Sequence, residues 1–199
     1  MQYLSQRLAA EPVSTRDEEQ PRGAIAGDQR ERLLDATEAL IAEKGATATT
    51  IEAIVKEAGV SSVTFYEHFR NKDECFVAAF ERAVEELRAE VGEGVPAGAA
   101  WSEQVGAGLE ALLTALDAEP ARARLCFVEA QRGGPEMAAR YDAALDAVAA
   151  ALDDSLGQAI AGGLAWLLRE RLELGGEGSV RDLLPQMADV VLAPGPARG

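Results

Sequence analysis

The stretch from Thr49 to Lys72, TTIEAIVKEAGVSSVTFYEHFRNK, predicts two short helices joined by a tight turn. In the first helix one face carries the residues spaced i, i+3, i+4 and i+7, namely Ile51, Ile54, Val55 and Ala58. Gly59 is expected to end this helix, because glycine adopts a positive φ at little cost. The pattern predicts a helix-turn-helix.

The second helix of this pair is expected to begin after Ser61, whose hydroxyl can accept a backbone N–H two or three residues on. Phe65 and Phe69, four residues apart, form its apolar face. The opposite face carries Ser62, Val63, Thr64, Tyr66, Glu67 and His68. This compact, mostly uncharged set suits contacts with base edges, thymine methyls and phosphates, so double-stranded DNA is the predicted partner.

Capping signals flank the motif on both sides. Thr49 and Glu52 have capping-box spacing, so we expect Thr49 to cap the first helix and Thr50 to point outward, at a helix N-terminus where a phosphate can dock. Asn71 and Glu74 repeat the spacing, and Lys72 lies in the first turn of the helix that follows. A cation at this position is well placed to hold a phosphate.

The chain before the motif divides into an arm and one helix. Asp28, with a glutamate three residues on, predicts the start of an amphipathic helix that Gly45 closes, so residues 28–72 form a three-helix DNA-binding domain. Residues 1–27 are expected to be a disordered arm. The alternative is a minor-groove arm that uses Arg16 and Arg22.

A long connector helix is predicted over residues 73–91, and the glycine- and proline-rich residues 92–100 indicate the boundary of a second unit over residues 92–199. Helices are expected there at about 101–117, 121–131, 135–153, 155–173 and 179–192. The break between Asp153 and Gly157 is weak, so one long bent helix is an alternative. The predicted fold class is therefore all-α.

Apolar stripes run along the final two predicted helices. Their candidate dimer contacts are Leu164, Leu168, Leu184, Met187 and Val191. Two such helices either close the core of one subunit or pair with their copies across a two-fold axis as a four-helix bundle. The stripes alone do not decide between these arrangements.

The charge balance limits the possible partners. With 34 acidic and 19 basic residues the formal net charge is -15, which argues against non-specific coating of nucleic acid and against binding to an anionic membrane. It permits local contact between a few cations and DNA. Since no run of about 18 apolar residues and no signal peptide is apparent, a soluble cytoplasmic protein is expected.

The sequence contains little that indicates catalysis or metal binding. The single histidine, His68, lies in the candidate DNA-reading helix, and no Cys or His pair has metal-ligand spacing, so no catalytic residue, cofactor or metal is predicted. Cys75 and Cys126 are expected to be buried, reduced thiols rather than a disulfide or a redox sensor. The alternatives to a DNA-binding function are a helical enzyme and an interaction module that has lost DNA binding.

The run TIEAIVKEAGVSSVTFYEHFRNKDE resembles the DNA-binding segment of the tetracycline-repressor (TetR) family of bacterial transcription regulators. The resemblance implies an all-helical protein with a three-helix DNA-binding head, a connector helix, an effector-binding body and homodimerisation through the last two helices. By position, Ser62, Val63 and Tyr66 would contact bases. The positions at the DNA backbone would be Thr50, Thr64, Glu67, His68 and Lys72.

The expected function is therefore a ligand-responsive repressor that binds a palindromic operator as a homodimer. Candidate effector-binding residues in the body are Trp101, Leu109, Phe127, Met137, Tyr141 and Trp166. Because no dedicated ion-binding cluster is evident, an apolar small molecule fits this lining better than a charged one.

Overall fold

The computed structural model describes residues 22–152, 156–174 and 178–193, which form helices joined by short connections. The helices are α1 (Arg22–Lys44), α2 (Ile51–Ala58), α3 (Ser62–His68), α4 (Lys72–Gly94), α5 (Trp101–Ala118), α6 (Pro120–Arg124), α7 (Pro135–Leu152), α8 (Gly157–Leu174) and α9 (Leu184–Leu192). Helices α1–α3 form the head, α4 is the connector and α5–α9 form the body. The all-α prediction is confirmed.

Helix α1 begins at Arg22, so the predicted start at Asp28 was wrong. The carboxylate of Asp28 is exposed and pairs with Nε of Arg32 at 3.3 Å. An acidic residue four positions before an arginine supports the interior of a helix as readily as its start, which explains the error. Residues 1–21, including Arg16, lie outside the described residues, and the side chain of Arg22 is likewise not described.

One continuous hydrophobic core joins the head to the body. It contains Leu33 and Phe65 from the head, Phe80 from α4, and Leu113 and Leu168 from the body. Helices α1 and α4 pack against each other, and each also contacts elements of the body. Helices α2 and α3 therefore rest on a platform that the body contacts directly.

Helices α7 and α8 are separate elements that pack against each other, in place of one long bent helix. A Cβ built at Gly157 would clash with the carbonyl oxygen of Ala149. Only glycine permits this close approach of backbone to backbone.

The helix predicted at 121–131 is three different elements. After α6 come a π-helical turn, Leu125–Glu129, and a 3-10 turn, Ala130–Arg132. In the π-helical turn the N–H of Ala130 bonds the carbonyl of Leu125, five residues back. Apolar spacing does not distinguish these helix types over so short a segment. Similarly, a 3-10 turn, Val180–Leu183, precedes α9.

The apolar stripes chosen as dimer contacts face the core of the same subunit. Leu164, Leu168, Met187 and Val191 are buried, and Leu184 is partly buried. Their burial within one subunit leaves little of their surface for contacts with a second subunit. The apolar side chains that α8, α9 and the residue before α8 expose are Leu156, Trp166, Leu174, Val190 and Leu192.

Both cysteines, Cys75 and Cys126, are free and buried, as predicted. Burial raises the pKa of the Cys75 thiol to about 11, against a weaker opposing effect of its bond with the Thr37 hydroxyl at 3.2 Å. Burial also raises the pKa of Cys126. Among the described residues, no helix combines the length and apolar character needed to cross a bilayer.

Candidate nucleic-acid interface

Helix α3 is fixed to the head by two buried phenylalanines. Phe65 is fully buried and Phe69 nearly so, with ring centroids 5.7 Å apart. Arg30 of α1 places its guanidinium carbon 5.6 Å from the centroid of the Phe69 ring. These contacts set which face of α3 is turned outward.

The outward face of α3 presents an apolar and a phenolic side chain one turn apart. Val63 is 70% exposed and Tyr66 is 59% exposed, and Ser62 and Glu67 flank them on the surface. The ring of Tyr66 packs edge-on against Phe65 at 5.5 Å, with an interplanar angle of 87°. The aromatic ring is thus held in place while much of it remains accessible.

Ser61 caps α3, as predicted. Its Oγ accepts the backbone N–H of Thr64 at 3.0 Å and lies 3.0 Å from the Thr64 hydroxyl. The turn before it begins with Gly59, at φ 64, which is the left-handed conformation expected of a helix-ending glycine. The turn at Gly59 and the cap at Ser61 therefore fix how α2 leads into α3.

The roles predicted for Thr49 and Thr50 are reversed. Thr50 caps α2, because its exposed side chain accepts the N–H of Ala53 at 3.2 Å. Thr49 is 1% exposed, and its hydroxyl donates to the carbonyl of Gly45 at 2.9 Å. The side chain of Thr49, which sequence analysis also offered as a DNA contact, thus closes the α1–α2 loop.

His68 and Lys72 are partly buried, in contrast to the exposed Val63 and Tyr66. Nε2 of His68 is buried and has no hydrogen-bond partner among the described residues. Nζ of Lys72 donates to the carbonyl of Ala46 at 2.8 Å, which ties the start of α4 to the α1–α2 loop. Thr64 is partly buried as well, next to its partner Ser61.

Arg70 is a candidate phosphate contact that the sequence reasoning passed over. Its side chain is 82% exposed directly after α3, and its Nε bonds Oε2 of Glu74 at 3.0 Å. The backbone N–H and the guanidinium of Arg70 together hold the pKa of Glu74 below its usual value. Asn71 caps α4 as predicted, accepting from the N–H of Glu74 at 2.8 Å. Like Lys72, Arg70 is a cation that closely follows α3.

In the body, a cavity of about 200 Å³ lies between α7, α8 and the 3-10 turn Ala130–Arg132, and it is open to solvent. It is lined by Gln131, Tyr141, Leu145, Gly162, Ala165, Trp166 and Arg169. We refer to it as the body pocket.

The body pocket brings together two of the six predicted effector residues, Tyr141 and Trp166. Leu109 and Met137 are buried in the core, and Phe127 packs partly buried against it. Trp101 is exposed at the first residue of α5, where the pocket does not reach. Apolar character alone does not separate pocket residues from core residues.

Ion pairs link the head to the connector and the body. Arg82 of α4 lies 3.0 Å from Glu31, 2.7 Å from Asp35 and 3.3 Å from Glu38, all on α1. Arg122 of α6 pairs with the next carboxylates along α4, Glu86 at 3.6 Å and Glu90 at 2.7 Å. A movement of α4 relative to α1 or α6 would therefore disturb several charge pairs.

Comparison with known proteins relates the head of this chain to a family. Residues 33–79 match the family model described as bacterial regulatory proteins, tetR family. An uncharacterized HTH-type transcriptional regulator of Bacillus subtilis, YerO, is 39% identical over 54 residues, which are 27% of this chain and 19% of that protein. The HTH-type transcriptional activator FasR of Mycolicibacterium smegmatis is 27% identical over 127 residues, which are 64% of this chain and 58% of that protein. The chain thus spans less than two thirds of either curated relative.

Solved structures share the fold across most of the chain. The fatty acid degradation regulator FadR of Bacillus halodurans superposes with a TM-score of 0.72 at 18% identity, covering 82% of this chain and 94% of its own. FadR of Bacillus subtilis, solved in complex with stearoyl-CoA, gives 0.71 at 16% identity, with 82% and 97% covered. At these identities the likeness establishes the fold alone.

The fold and the capped, outward-facing α3 together define a helix-turn-helix head on a helical body. Over residues 33–79 the chain matches the tetR family of bacterial regulatory proteins. Both curated relatives are named as HTH-type transcription regulators.

Proposed function

We propose that this protein is a ligand-responsive transcriptional repressor that binds a palindromic operator as a homodimer. The observation that carries the proposal is the exposed pair Val63 and Tyr66 on a short helix, anchored by Phe65 and capped by Ser61. A helix held this firmly can place side chains in a major groove at low entropic cost.

Sequence readout would rest mainly on Val63, Tyr66 and Ser62. Val63 suits an apolar contact with a thymine methyl, and the Tyr66 ring and hydroxyl suit a base edge or a phosphate. The hydroxyl of Ser62 can bond either kind of group. Glu67 carries a carboxylate that phosphates repel, so we expect it to turn away from the DNA backbone.

Phosphate contacts would come from groups on either side of α3. Thr50 and the free N–H groups at the start of α2 form one set, and Arg70 and Lys72 form the other. Since the net charge of the whole chain is -15, binding away from these groups would be opposed. That charge balance favours specific over non-specific binding.

Dimerisation would use the exposed apolar side chains of α8 and α9. Trp166 is 54% exposed, and Val190 and Leu192 are exposed on the last helix. Pairing these helices with their copies would bury the apolar surface and set two α3 helices about 34–36 Å apart, one turn of DNA. We expect Val190→Lys to give monomers in sedimentation experiments, whereas Val63→Lys, an equivalent change on the head, leaves the dimer intact.

The effector would enter the body pocket. Trp166, Leu145 and Ala165 supply apolar surface, and Gln131, Tyr141 and Arg169 supply polar groups. A volume of about 200 Å³ lies below the range of about 300–1,000 Å³ usual for ligand sites, so we expect a small molecule with an apolar part and one polar end. A chain as long as the stearoyl group named for the Bacillus subtilis FadR structure would require α7 and α8 to separate.

The decisive experiment is selection of duplexes from a randomised pool with purified full-length protein. The expected result is an inverted repeat with half-sites about 10 base pairs apart, centre to centre. Absence of any enriched duplex would instead support an interaction module that has lost DNA binding. A reporter placed behind the selected site then distinguishes repression from activation, the role that FasR is named for.

Matched variants test the contact residues. Tyr66→Ala should weaken binding to the selected duplex by about 1–3 kcal/mol, while Tyr66→Phe, which keeps the ring packing on Phe65, separates the hydroxyl from the ring. Val63→Ala should also weaken binding, whereas Val148→Ala, a change at an equally helical and 46% exposed position on α7, should not. Equal affinities for all four variants and the unchanged protein would refute this placement of the DNA.

A further inference from the structure

Ala46, in the α1–α2 loop, makes hydrogen bonds through both its N–H and its carbonyl. The N–H of Ala46 donates to Oε2 of Glu129 at 3.0 Å, and the carbonyl of Ala46 accepts from Nζ of Lys72 at 2.8 Å. Glu129 ends the π-helical turn of the body, and Lys72 opens α4 three residues after Phe69. Ala46 therefore connects a body carboxylate to the start of the connector.

Glu129 places a carboxylate in an almost fully buried position. It is 3% exposed, and its other oxygen, Oε1, accepts from Nη1 of Arg132 at 2.8 Å and lies 3.9 Å from Nη2 of Arg124. Burying a carboxylate is costly unless charged and hydrogen-bonding partners surround it, as they do here. A Cβ at Gly45, where φ is +83, would lie 3.3 Å from Oε2, so this glycine permits the close approach.

The polar contacts of Glu129 continue to the body pocket. Nη2 of Arg132 bonds Glu173 at 2.7 Å, and Glu173 accepts from Nε of Arg169 at 3.3 Å. Nη1 of Arg169 donates to Gln131 at 2.7 Å, and Gln131 donates to the hydroxyl of Tyr141 at 2.8 Å. A continuous path of hydrogen bonds thus joins pocket-lining groups to the α1–α2 loop.

Arg124 also connects the body to the head by hydrogen bonds. Its Nε donates to the carbonyl of Ala42 near the end of α1, and its Nη1 donates to the carbonyl of Leu172 in the last turn of α8. The π-helical turn that follows Arg124 places Glu129 beside it. Such π turns recur at functional sites in helical proteins.

We propose that Glu129 is the coupling residue through which the body pocket controls the DNA-binding head. The inference rests on the proposed function and adds its regulation. A ligand that takes up hydrogen bonds of Arg169 or Gln131 loosens the Arg169–Glu173 pair, changes the partners of Arg132 and alters the hold of Glu129 on Ala46. Through Lys72, the same change reaches the start of α4 and the end of α3.

A double-mutant cycle tests this coupling without knowledge of the effector, since spatial connection alone does not demonstrate it. Arg169→Met breaks the path at the pocket, and Glu129→Gln removes the charge at the loop while keeping a similar shape. We expect Arg169→Met to change affinity for the selected duplex by about 5-fold or more in the unchanged background. In the Glu129→Gln background the change should fall below about 2-fold.

Arg140→Met is the matched control. It breaks an exposed pair between α7 and α4, Arg140 to Glu81 at 3.1 Å, outside the path. Its effect on affinity should be the same in both backgrounds. An Arg169→Met effect that is equal in the two backgrounds, or absent in both, would overturn the proposal.

Hydrogen exchange provides a readout that needs no DNA. In Glu129→Gln the amide of Ala46 should exchange about 5-fold faster, because a bond to a neutral amide is weaker than one to a carboxylate, while the amide of Leu113 in the core keeps its rate. Unchanged exchange at Ala46 in a folded Glu129→Gln protein contradicts the coupling role. If the unchanged protein selects no duplex, the proposed function fails while the exchange result still tests the contact.

Discussion

Nη1 of Arg32 donates a hydrogen bond to the carbonyl oxygen of Ala58 at 3.2 Å, which fastens α1 to the last turn of α2. The bond lies at the carbonyl directly before Gly59, where the chain leaves α2 for α3. Helix C-termini carry carbonyls without partners inside the helix, and a guanidinium stabilises them through both its hydrogen bond and its charge. The angle between the two helices of the motif is thus supported by a side chain from outside it.

Loss of this bond should destabilise the head. We expect Arg32→Met, which keeps most of the aliphatic stem, to lower the free energy of unfolding by about 0.5–1.5 kcal/mol, measured by urea denaturation. Arg88→Met is the control, since the Arg88 side chain is 68% exposed and its contact with Glu85 is 3.8 Å long. A cost at Arg32 no larger than at Arg88 would show that the Ala58 bond contributes nothing.

Gly59→Ala should destabilise the protein through the backbone. A Cβ there would meet only Nη1 of Arg32 at 3.7 Å, so space is available, but φ is +64 and alanine is strained in that conformation. We expect a loss of about 1 kcal/mol in thermal or urea unfolding. Gly106→Ala, in the interior of α5 with nothing within 4 Å, should stabilise instead. The same sign of change at both sites would contradict this explanation.

Glu38 should make stability depend on pH. Burial raises its pKa above the usual value, against the weaker attraction of Arg82, so the folded state holds the proton to higher pH than the unfolded state does. Stability from this group is therefore present at low pH and falls as pH rises through the folded-state pKa. The free energy of unfolding of the unchanged protein minus that of Glu38→Gln should therefore be larger at pH 5 than at pH 7.

The control for that experiment is Glu85→Gln, which removes an exposed carboxylate, 77% accessible, from the connector helix. Urea unfolding of all three proteins at several pH values measures the two differences. A Glu38→Gln difference that does not change between pH 5 and pH 7, or changes in the opposite direction, would show that the burial of Glu38 has no such effect.

The two thiols should be unreactive while the protein is folded. Cys75 and Cys126 are buried, and the raised pKa of each leaves little thiolate at pH 8. A thiol reagent such as 5,5′-dithiobis(2-nitrobenzoic acid) should label neither within the time that labels both in urea. Rapid labelling of one cysteine under native conditions would indicate that its surroundings open readily.

The sequence by itself determined the motif, because its signals are local. The apolar spacing of α2, the left-handed Gly59, the Ser61 cap and the Phe65–Phe69 face each depend on residues within about one helical turn. The all-α class follows from the same kind of signal repeated along the chain. The resemblance of this segment to a family could be inferred because these residues stand at characteristic spacing.

Only the tertiary structure decided which side chains are buried and which distant residues are in contact. Thr49 and Thr50 have the same chemistry, and only the packing of the α1–α2 loop buries the first and leaves the second to cap α2. The stripe that includes Met187 and Val191 has the periodicity of any amphipathic helix, and only the position of the core shows that it faces inward. The contact between Glu129 and Ala46 spans 83 positions, a distance over which neither periodicity nor capping carries information.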